Sequence, residues 1–352
     1  MKSQCLAVLF CLTICASLMA APQASPAQAN PRLPFNPDTL PERPDRKTPR
    51  GQRIVVLADA NSSYGDDTYR KDVHQLIKII ATELKPDIVI SAGDLIAAQK
   101  KGFKEPLLRK MWAGFDRAIT KPLDEAGIPF APTPGNHDAS GYPAFKIDRD
   151  IFRDHWNNPK HKPDLNLVGS LNNFPTYYAH SLGKTLFLSL NITTMEPLSD
   201  TQWAFIEQTL ADHADQYDNI FATSHVPPYP ITHKREKQTM TRADAKRINK
   251  LFAKYRVDAF FTGHHHGYYK ARKNNLNLVS LNACGNGPRL LIGTKAPQKQ
   301  SIVVIDIENG KITQCFAIKS DNTVFDDKTL PLKLVYEDIT LHRFDQAEAD
   351  KK

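Results

Sequence analysis

Residues 53–59 read RIVVLAD, and residues 87–94 read DIVISAGD. Each stretch is a short, continuous apolar run that ends at a carboxylate, which is typical of a strand buried on both faces of a sheet. Between the two runs, residues 67–84 carry apolar side chains at helical spacing and stop before Pro86. This β-α-β beginning predicts a layered α/β fold.

The alternation continues along the chain. We predict further helices over residues 105–125, from a cap at Ser199 or Asp200 through Leu210, and over 242–255. A hairpin over residues 177–190 is expected to turn at Gly183. The remaining predicted strands cover residues 128–131, 220–223, 259–262, 276–281, 301–307, 312–318 and 332–341. The chain therefore has the elements of one large α/β domain.

The first 29 residues have the features of a secretory signal peptide. Lys2 supplies a positive charge, residues 5–19 form an apolar run, and Ala27-Gln28-Ala29 fits the small-x-small cleavage pattern. Cleavage nearer Ala20 is the alternative. The apolar run is too short for a good membrane span. We therefore expect an exported protein, periplasmic or secreted, whose mature chain has no membrane span.

The rest of the chain divides by composition. Residues 30–52 are rich in proline and polar residues and predict an extended arm rather than part of a core. Residues 53–342 form the predicted domain, and residues 343–352 a polar stub. The net charge of +8 either draws anions or only keeps the protein soluble. Because no block of like charge resembles a nucleic-acid-binding tail, we expect no stable nucleic-acid partner.

Three of the five cysteines lie in the signal peptide. The bulky Ile14 argues against a lipid anchor on Cys15. In the mature chain Cys284 and Cys315 either form a disulfide or remain two buried thiols. Neither alternative gives a cysteine-based metal site, which needs more thiols closer together.

Five polar clusters follow the predicted strands. They are Asp59-Ala60-Asn61, Gly93-Asp94, Gly135-Asn136-His137-Asp138, Ser224-His225 and Gly263-His264-His265-His266. Sites in α/β sheets gather outside the carboxyl ends of strands, so these clusters can meet in space. Carboxylate and imidazole without sulfur suit Zn, Mn and Fe. Each cluster alone has an ordinary explanation as a turn or cap, but five of them in this order indicate a metal site.

The ordered set resembles the signature of calcineurin-like metallophosphoesterases: Asp-x-His, Gly-Asp, Gly-Asn-His-Asp, His and Gly-His-x-His. The resemblance spans residues 53–281. It implies a four-layer α/β/β/α sandwich of two mixed sheets flanked by helices. It also implies hydrolysis of a phosphomonoester or phosphodiester, on a small molecule or a phosphorylated macromolecule, by a metal-bridged hydroxide. The implied cofactors are two divalent ions among Mn, Fe, Zn, Mg and Ca.

The resemblance also distributes roles. Asp94 would bridge both ions, and His137 would protonate the leaving group, with Asp138 orienting its imidazole. The first ion would also be bound by Asp59 and His266. The second ion would also be bound by Asn136, His225 and His264.

Two positions depart from the family pattern. Asn61 stands where most members have histidine, so its amide oxygen would bind the first ion directly or through water, or contact the substrate. Ala97 stands where purple acid phosphatases have tyrosine, so no tyrosinate-bound ferric ion is expected. Asn61 is also the one feature that favours the alternative of a catalytically impaired phosphoester-binding or regulatory protein. A metallopeptidase is disfavoured because the chain has no His-Glu-x-x-His helix.

Substrate contacts are expected from Tyr64 and Asn61 in the first loop and from His265. The loops over residues 142–173 and 227–241 are predicted to set substrate choice, although a solvated surface is the expected role for most of their basic residues.

Overall fold

The computed structural model describes residues 30–44 and 51–346. Its helices are α1 Lys71–Ile79, α2 Glu105–Phe115, α3 Lys121–Glu125, α4 Asn136–Ala139, α5 Lys146–Asn157, α6 Asp200–His213 and α7 Arg242–Lys254. Its strands are β1 Gln52–Leu57, β2 Ile88–Ser91, β3 Phe130–Ala131, β4 Asn166–Leu167, β5 Tyr178–Leu182, β6 Thr185–Ser189, β7 Asn219–Ser224, β8 Ala259–Thr262, β9 Tyr269–Lys273, β10 Leu276–Ser280, β11 Ser301–Glu308, β12 Lys311–Lys319, β13 Lys333–Tyr336 and β14 Ile339–Arg343.

These strands form two mixed sheets. The first has the order β12-β11-β1-β2-β3, in which β1, β2 and β3 are parallel. The second has the order β13-β14-β9-β10-β8-β7-β6-β5-β4, in which β6, β7, β8 and β10 are parallel. Because the carboxyl ends of parallel neighbours lie at the same edge of a sheet, each sheet presents several loops at one edge.

Alternate residues of β1 face the two hydrophobic cores on either side of the first sheet. Ile54 and Val56 pack in the core that the two sheets share, whereas Val55 and Leu57 pack against α1, α2 and α5 on the other side. Apolar residues of α6 and α7 cover the second sheet. The predicted four-layer α/β/β/α sandwich is confirmed, with a buried strand at its centre as the continuous apolar run of β1 predicts.

Local sequence explains where several helices begin and end. Ser199 caps α6 by accepting a hydrogen bond from the amide of Gln202, and Thr241 caps α7 in the same way through the amide of Asp244. The helices predicted at 67–84 and 105–125 each contain a wider turn of π type, at Ile80–Leu84 and Asp116–Thr120. The hairpin with its turn at Gly183, where φ is 54°, is confirmed.

The structure differs from the sequence predictions in several places. The stretch at 332–341 is a hairpin of β13 and β14 rather than one strand. Strands β4 and β9 and helices α4 and α5 were not predicted, and α5 lies inside a segment expected to be a substrate loop. The described residues 30–44 of the arm pack on the core, because Leu33 is buried and Asn30 donates a hydrogen bond to the carbonyl of Val257. Phe344 is also buried, so the polar stub begins later than residue 343.

Two further predictions concern the cysteines and the membrane. Cys284 and Cys315 are free thiols, and they belong to the two different cores on either side of the first sheet. Burial raises the pKa of Cys284 to about 12 and that of Cys315 to about 11, so both are unreactive thiols. Among the described residues no helix has the length and apolarity to cross a membrane. The predicted signal peptide lies outside the described residues.

Candidate metal centre

The five polar clusters lie at the carboxyl ends of β1, β2, β3, β7 and β8. Backbone hydrogen bonds join the loops to one another: the amide of Asp59 donates to the carbonyl of Gly93 at 3.0 Å, and that of Asn61 to Asp94 at 3.2 Å. The amide of Gly263 donates to the carbonyl of His225 at 3.1 Å within the second sheet, and across the sheets the amide of His264 donates to Oδ2 of Asp59 at 3.1 Å. The two sheets thus bring their loops together into one site.

Four of the expected ligands have left-handed backbone conformations. The φ angles are 52° at Asp59, 58° at Asp94, 65° at His264 and 52° at His266. Such conformations are uncommon for residues other than glycine, and they cluster where a structure holds functional side chains. Each one turns the chain sharply out of its strand and so directs the ligand side chain back across the sheet edge.

Gly135 permits the closest approach between two of these loops. A Cβ at Gly135 would lie 2.0 Å from the amide nitrogen of Asp94 and 2.3 Å from its Oδ1, which no side chain can occupy. Since Asn136 and His137 follow directly, this glycine sets the distance between the third cluster and the Asp94 carboxylate.

Four side chains of the predicted second-ion site face one another. The Nε2 atom of His225 lies 3.2 Å from Oδ2 of Asp94, 2.8 Å from Oδ1 of Asn136 and 3.2 Å from Nδ1 of His264. All four residues are buried, with His225 fully inaccessible. The neighbouring His225 and His137 lower the pKa of Asp94 although burial raises it, so this carboxylate stays ionised.

Groups behind these ligands fix their orientation. Nδ1 of His225 lies 2.8 Å from the carbonyl of Ala92, which can only accept, so Nδ1 carries a hydrogen and Nε2 is the nitrogen that faces the other ligands. Nε2 of His264 lies 3.0 Å from Oε1 of Gln238 and presents its Nδ1 lone pair in the same way. The amide nitrogen of Asn136 donates to Oε1 of Gln99 at 2.6 Å, which turns Oδ1 toward the histidines.

This donor set fits a cation. Two imidazole nitrogens face each other at 3.2 Å, beside a carboxylate and an amide oxygen. Such a cluster of buried donor atoms needs a positive charge among them. A proton on His225 supplies it, because Asp94 outweighs the lowering effect of burial and raises the pKa of His225 to about 9, and a metal ion would replace that proton. The mixture of nitrogen and oxygen donors suits Zn, Mn or Fe.

The predicted first-ion site is smaller. Nε2 of His266 lies 3.1 Å from Oδ1 of Asp59, and Nδ1 of His266 lies 2.9 Å from the carbonyl of Gly287. Both oxygens of Asp59 also accept from the amide of His264, at 3.2 and 3.1 Å. Asn61 is buried beside this pair, with its backbone carbonyl accepting from Asn286 at 3.1 Å. In the described part of the chain, only Asp94, His225 and His264 at this centre form a group of three His, Cys, Asp or Glu ligands.

The comparisons with known proteins agree with this geometry. The model of the calcineurin-like phosphoesterase family matches residues 52–268. The chain belongs to the calcineurin-like phosphoesterase family. This is a family of metal-dependent phosphoester hydrolases, and the predicted resemblance is confirmed. No curated protein matches the chain by sequence.

Two solved structures share the fold of this family member. The purple acid phosphatase PPD1 from yellow lupin (Lupinus luteus) seeds is 18% identical, with a TM-score of 0.58, and the match covers 78% of this chain and 53% of the lupin protein. PhoD is 11% identical, with a TM-score of 0.52, and the match covers 78% of this chain and 71% of PhoD. The chain spans about half the length of the lupin phosphatase.

His137 lies at the partly exposed rim of the site. Its Nδ1 lies 3.1 Å from the carbonyl of Ala98, and its Nε2 lies 3.9 Å from Oδ2 of Asp94. Tyr64 is exposed, and its ring centre lies 4.9 Å from that of His137. His137 therefore presents Nε2 toward the site from the rim, next to Tyr64.

Asp138 does not orient that imidazole, contrary to the prediction. Its Oδ1 accepts from the amides of Leu95 and Ile96 at 2.7 and 2.8 Å, and its Oδ2 accepts from the amide of Gly135 at 3.0 Å. Burial and the adjacent Asp94 raise the pKa of Asp138 to about 7. This fully buried carboxyl holds the second and third clusters together, and the carbonyl of Ala98 is what contacts His137.

His265 is likewise not placed to touch a substrate. It is fully inaccessible, its Nδ1 accepts from the amide of Ile231 at 3.1 Å, and its Nε2 donates to the carbonyl of Gln238 at 2.9 Å. Burial lowers its pKa to about 3, so the ring stays neutral and accepts as well as donates. His265 joins the loop of residues 227–241 to the ligand cluster.

Gln99 and Arg289 near the site were not predicted from the sequence, and Arg235 and Gln238 were predicted only as members of the substrate loop over residues 227–241. Gln99 and Gln238 hold ligand side chains, as described above. Nη1 of Arg235 lies 3.2 Å from Nε2 of His264. The backbone amide of Arg289 donates a hydrogen bond to the carbonyl of His266. Burial and the nearby charge of Arg235 lower the pKa of Arg289. The two arginines therefore bring positive charge to the edge of the centre. No local sequence pattern marks these four positions.

Proposed function

We propose that the chain hydrolyses phosphomonoesters or phosphodiesters with two divalent ions held at this centre, and that it does so after export. The observation that carries the proposal is the meeting of Asp94, Asn136, His225 and His264, whose metal-binding atoms lie within 2.8–3.2 Å of Nε2 of His225. When bound, divalent ions at such a site lower the pKa of water and offset the charge of the phosphoryl oxygens.

The ligands are proposed to divide unequally between the ions. Asn136, His225 and His264 would hold one ion with Asp94, and their orientation is already fixed by Gln99, Ala92 and Gln238. Asp59 and His266 would hold the other, with Asn61 supplying an amide oxygen. Because an amide oxygen is a weaker donor than imidazole, we expect the ion at Asp59 to bind less tightly.

His137 is proposed to protonate the leaving group. Its Nδ1 hydrogen is directed to the carbonyl of Ala98, which leaves Nε2 directed into the site, and the ring must be doubly protonated so that Nε2 has a proton to give. The side chain is 16% exposed, so a substrate oxygen can reach it. Tyr64 beside it is proposed to contact the substituent of the phosphate, and Arg235 and Arg289 its non-bridging oxygens.

Turnover of two chromogenic esters tests this proposal. Purified protein is treated with a chelator, reloaded with Mn²⁺, Zn²⁺ or Mg²⁺, and assayed with p-nitrophenyl phosphate and bis(p-nitrophenyl) phosphate. Asp94→Asn should lose turnover and the metal bound at this centre, whereas Asp212→Asn, which alters an exposed carboxylate on α6, should retain both. The ratio of the two rates separates a monoesterase from a diesterase.

One outcome would favour the alternative function. A wild-type protein that binds metal at Asp94 and turns over neither ester, nor any of a broad panel of phosphoesters, would be a phosphoester-binding protein that retains the fold. The observation behind that alternative is Asn61 at the position of a family histidine.

The proposed export rests on residues 1–29 alone. Mass spectrometry of the protein purified from the cell envelope or the medium should show a chain that begins after Ala29, or after a site near Ala20. A chain that keeps residues 1–29 and remains in the cytoplasm would refute export and leave the proposed chemistry untouched.

A further inference from the structure

A second group of metal-binding side chains lies between α2 and α5. Asp116 begins the π-type turn Asp116–Thr120, His155 lies in the last turn of α5, and His161 lies in the segment that follows. The described part of the chain contains two groups of three possible metal ligands, this one and the one at Asp94. The two groups share no residue. The mechanism proposed above uses none of its members.

The distances in this group match the edges of a metal coordination shell. Nε2 of His155 lies 3.4 Å from Oδ1 of Asp116, and Nδ1 of His161 lies 3.5 Å from Oδ2 of the same carboxylate. Both nitrogen–oxygen distances are too long for a good hydrogen bond. Ligands about 2.0–2.1 Å from a tetrahedral zinc ion are separated by roughly 3.3–3.4 Å. The three side chains are therefore spaced around a point rather than bonded to one another.

His155 supplies a second and independent observation. The residue is only 8% exposed, and its Nε2 has no hydrogen-bond partner among the described residues. A buried polar atom without a partner costs roughly 1–3 kcal/mol, so such atoms are rare unless something binds them. This nitrogen is directed at the Asp116 carboxylate, and a cation between the two would satisfy both groups.

Packing holds His155 and Asp116 in place. One face of the His155 ring stacks on Trp112, at 4.3 Å between ring centres, and Oδ1 of Asp116 accepts a hydrogen bond from the hydroxyl of Thr120 at 3.1 Å. His161 stacks on the other face of His155 at 4.4 Å, and its partly exposed ring turns out of this stack to bring its lone pair to the same ion. Because the contacts with Trp112 and Thr120 already orient His155 and Asp116, the conformational entropy lost on binding falls mainly on His161.

The surroundings leave a place for further ligands. A cavity of about 170 Å³ opens beside the group, and Asp154 and Asn158 also line it. The charge of Arg109 nearby is offset by Glu105 at 2.7 Å and Asp154 at 3.2 Å. Burial lowers the pKa of His155, although Asp116 opposes that effect, so its imidazole is neutral at neutral pH as metal binding requires.

We propose that Asp116, His155 and His161 bind one divalent transition-metal ion of the zinc class, with water completing its coordination. Two imidazoles and a carboxylate favour Zn²⁺, Ni²⁺, Co²⁺ or Cu²⁺ over Mg²⁺ or Ca²⁺, which prefer oxygen alone. The ion joins the turn between α2 and α3 to the end of α5. It is a structural link on the helical layer, separate from the phosphoesterase centre.

Zinc content measured on paired variants tests the site. Full-length protein is freed of metal, loaded with Zn²⁺, passed over a desalting column and analysed by mass spectrometry of the elements. His161→Ala should lose one zinc per chain relative to wild type, whereas the control His74→Ala, which removes an exposed histidine of α1, should lose none. Turnover of the chromogenic esters should be the same in all three proteins.

Tryptophan fluorescence identifies where the ion binds. Cu²⁺ at His155 should quench Trp112, and His161→Ala or Asp116→Ala should lose at least half of that quenching. Asp94→Asn, which disrupts the other centre, should keep it. Equal zinc content in wild type and His161→Ala, or quenching that is lost in Asp94→Asn and kept in both other variants, would overturn the proposal without bearing on the phosphoesterase activity.

Discussion

Replacing Gln238 with leucine tests whether the groups behind the ligands set the affinity of the metal centre. Oε1 of Gln238 lies 3.0 Å from Nε2 of His264, a residue that is 5% exposed, and accepts its hydrogen. Leucine has a similar volume but no acceptor. The main-chain carbonyl of residue 238, which His265 contacts, is unaffected by the change.

The size of the effect follows from the lost hydrogen bond. A buried N–H left without an acceptor costs roughly 1–3 kcal/mol, which corresponds to about 5- to 150-fold in a dissociation constant. Loss of a group that orients a metal-binding histidine typically costs about 10–100-fold in metal affinity. We therefore expect Gln238→Leu to bind its ion about 10–100-fold more weakly, with near-normal turnover once the ion is saturating.

Titration of metal-free protein with Mn²⁺ measures this affinity, by calorimetry and by the concentration that gives half-maximal turnover. Gln216→Leu is the matched control, because Gln216 contacts His213 on an exposed part of α6 at 3.3 Å. An affinity for Gln238→Leu within twofold of wild type would refute the idea that Gln238 fixes the orientation of His264.

Three other substitutions test separate parts of the account. His137→Ala should lower the turnover number by about 10²–10⁴-fold while metal content stays at the wild-type value, and an unchanged turnover would remove His137 from the proposed chemistry. Asn61→His should tighten the weaker of the two ions about tenfold or more in a Mn²⁺ titration, since imidazole is the stronger donor, and no change would place Asn61 outside the coordination shell. His180 is fully buried, and burial lowers its pKa to about 3, so the unfolded chain takes up a proton below pH 6.5 that the folded chain does not. Wild type should therefore lose about 2 kcal/mol of unfolding free energy between pH 8 and pH 5 that His180→Phe retains in urea titrations, and parallel losses in the two proteins would contradict this.

The sequence predicted the centre of the fold well because its signals are local there. Residues 54–57 of β1 and 88–90 of β2 are apolar throughout, and β8 occupies the same residues as its prediction, 259–262. The turn at Gly183 and the cap at Ser199 were likewise marked by the residue types that those positions require. The ligands followed because each one stands directly after such a strand.

The elements that the sequence did not predict depend on distant partners. Leu33 and the few other apolar residues of the polar arm show no periodicity, and residues 30 and 31 are held by hydrogen bonds from Arg272 and Asn277, more than two hundred residues away. Gln99 and Gln238 act on ligands from other loops, so no spacing within their own segments indicates their role. Helix α5 could have been found, because Ile151, Phe152 and His155 recur at helical spacing among its charged residues.

Anomalous scattering from crystals grown with Mn²⁺ shows whether the two proposed ions bind at the carboxyl ends of the strands. We expect one peak within about 2.0–2.3 Å of Nε2 of His225 and Nδ1 of His264, and a second beside Asp59 and His266, with the Asp94 carboxylate between them. A lower occupancy at the second position would agree with Asn61 as its weak ligand. Crystals that contain Mn²⁺ but show no peak at His225 and His264 would contradict the account.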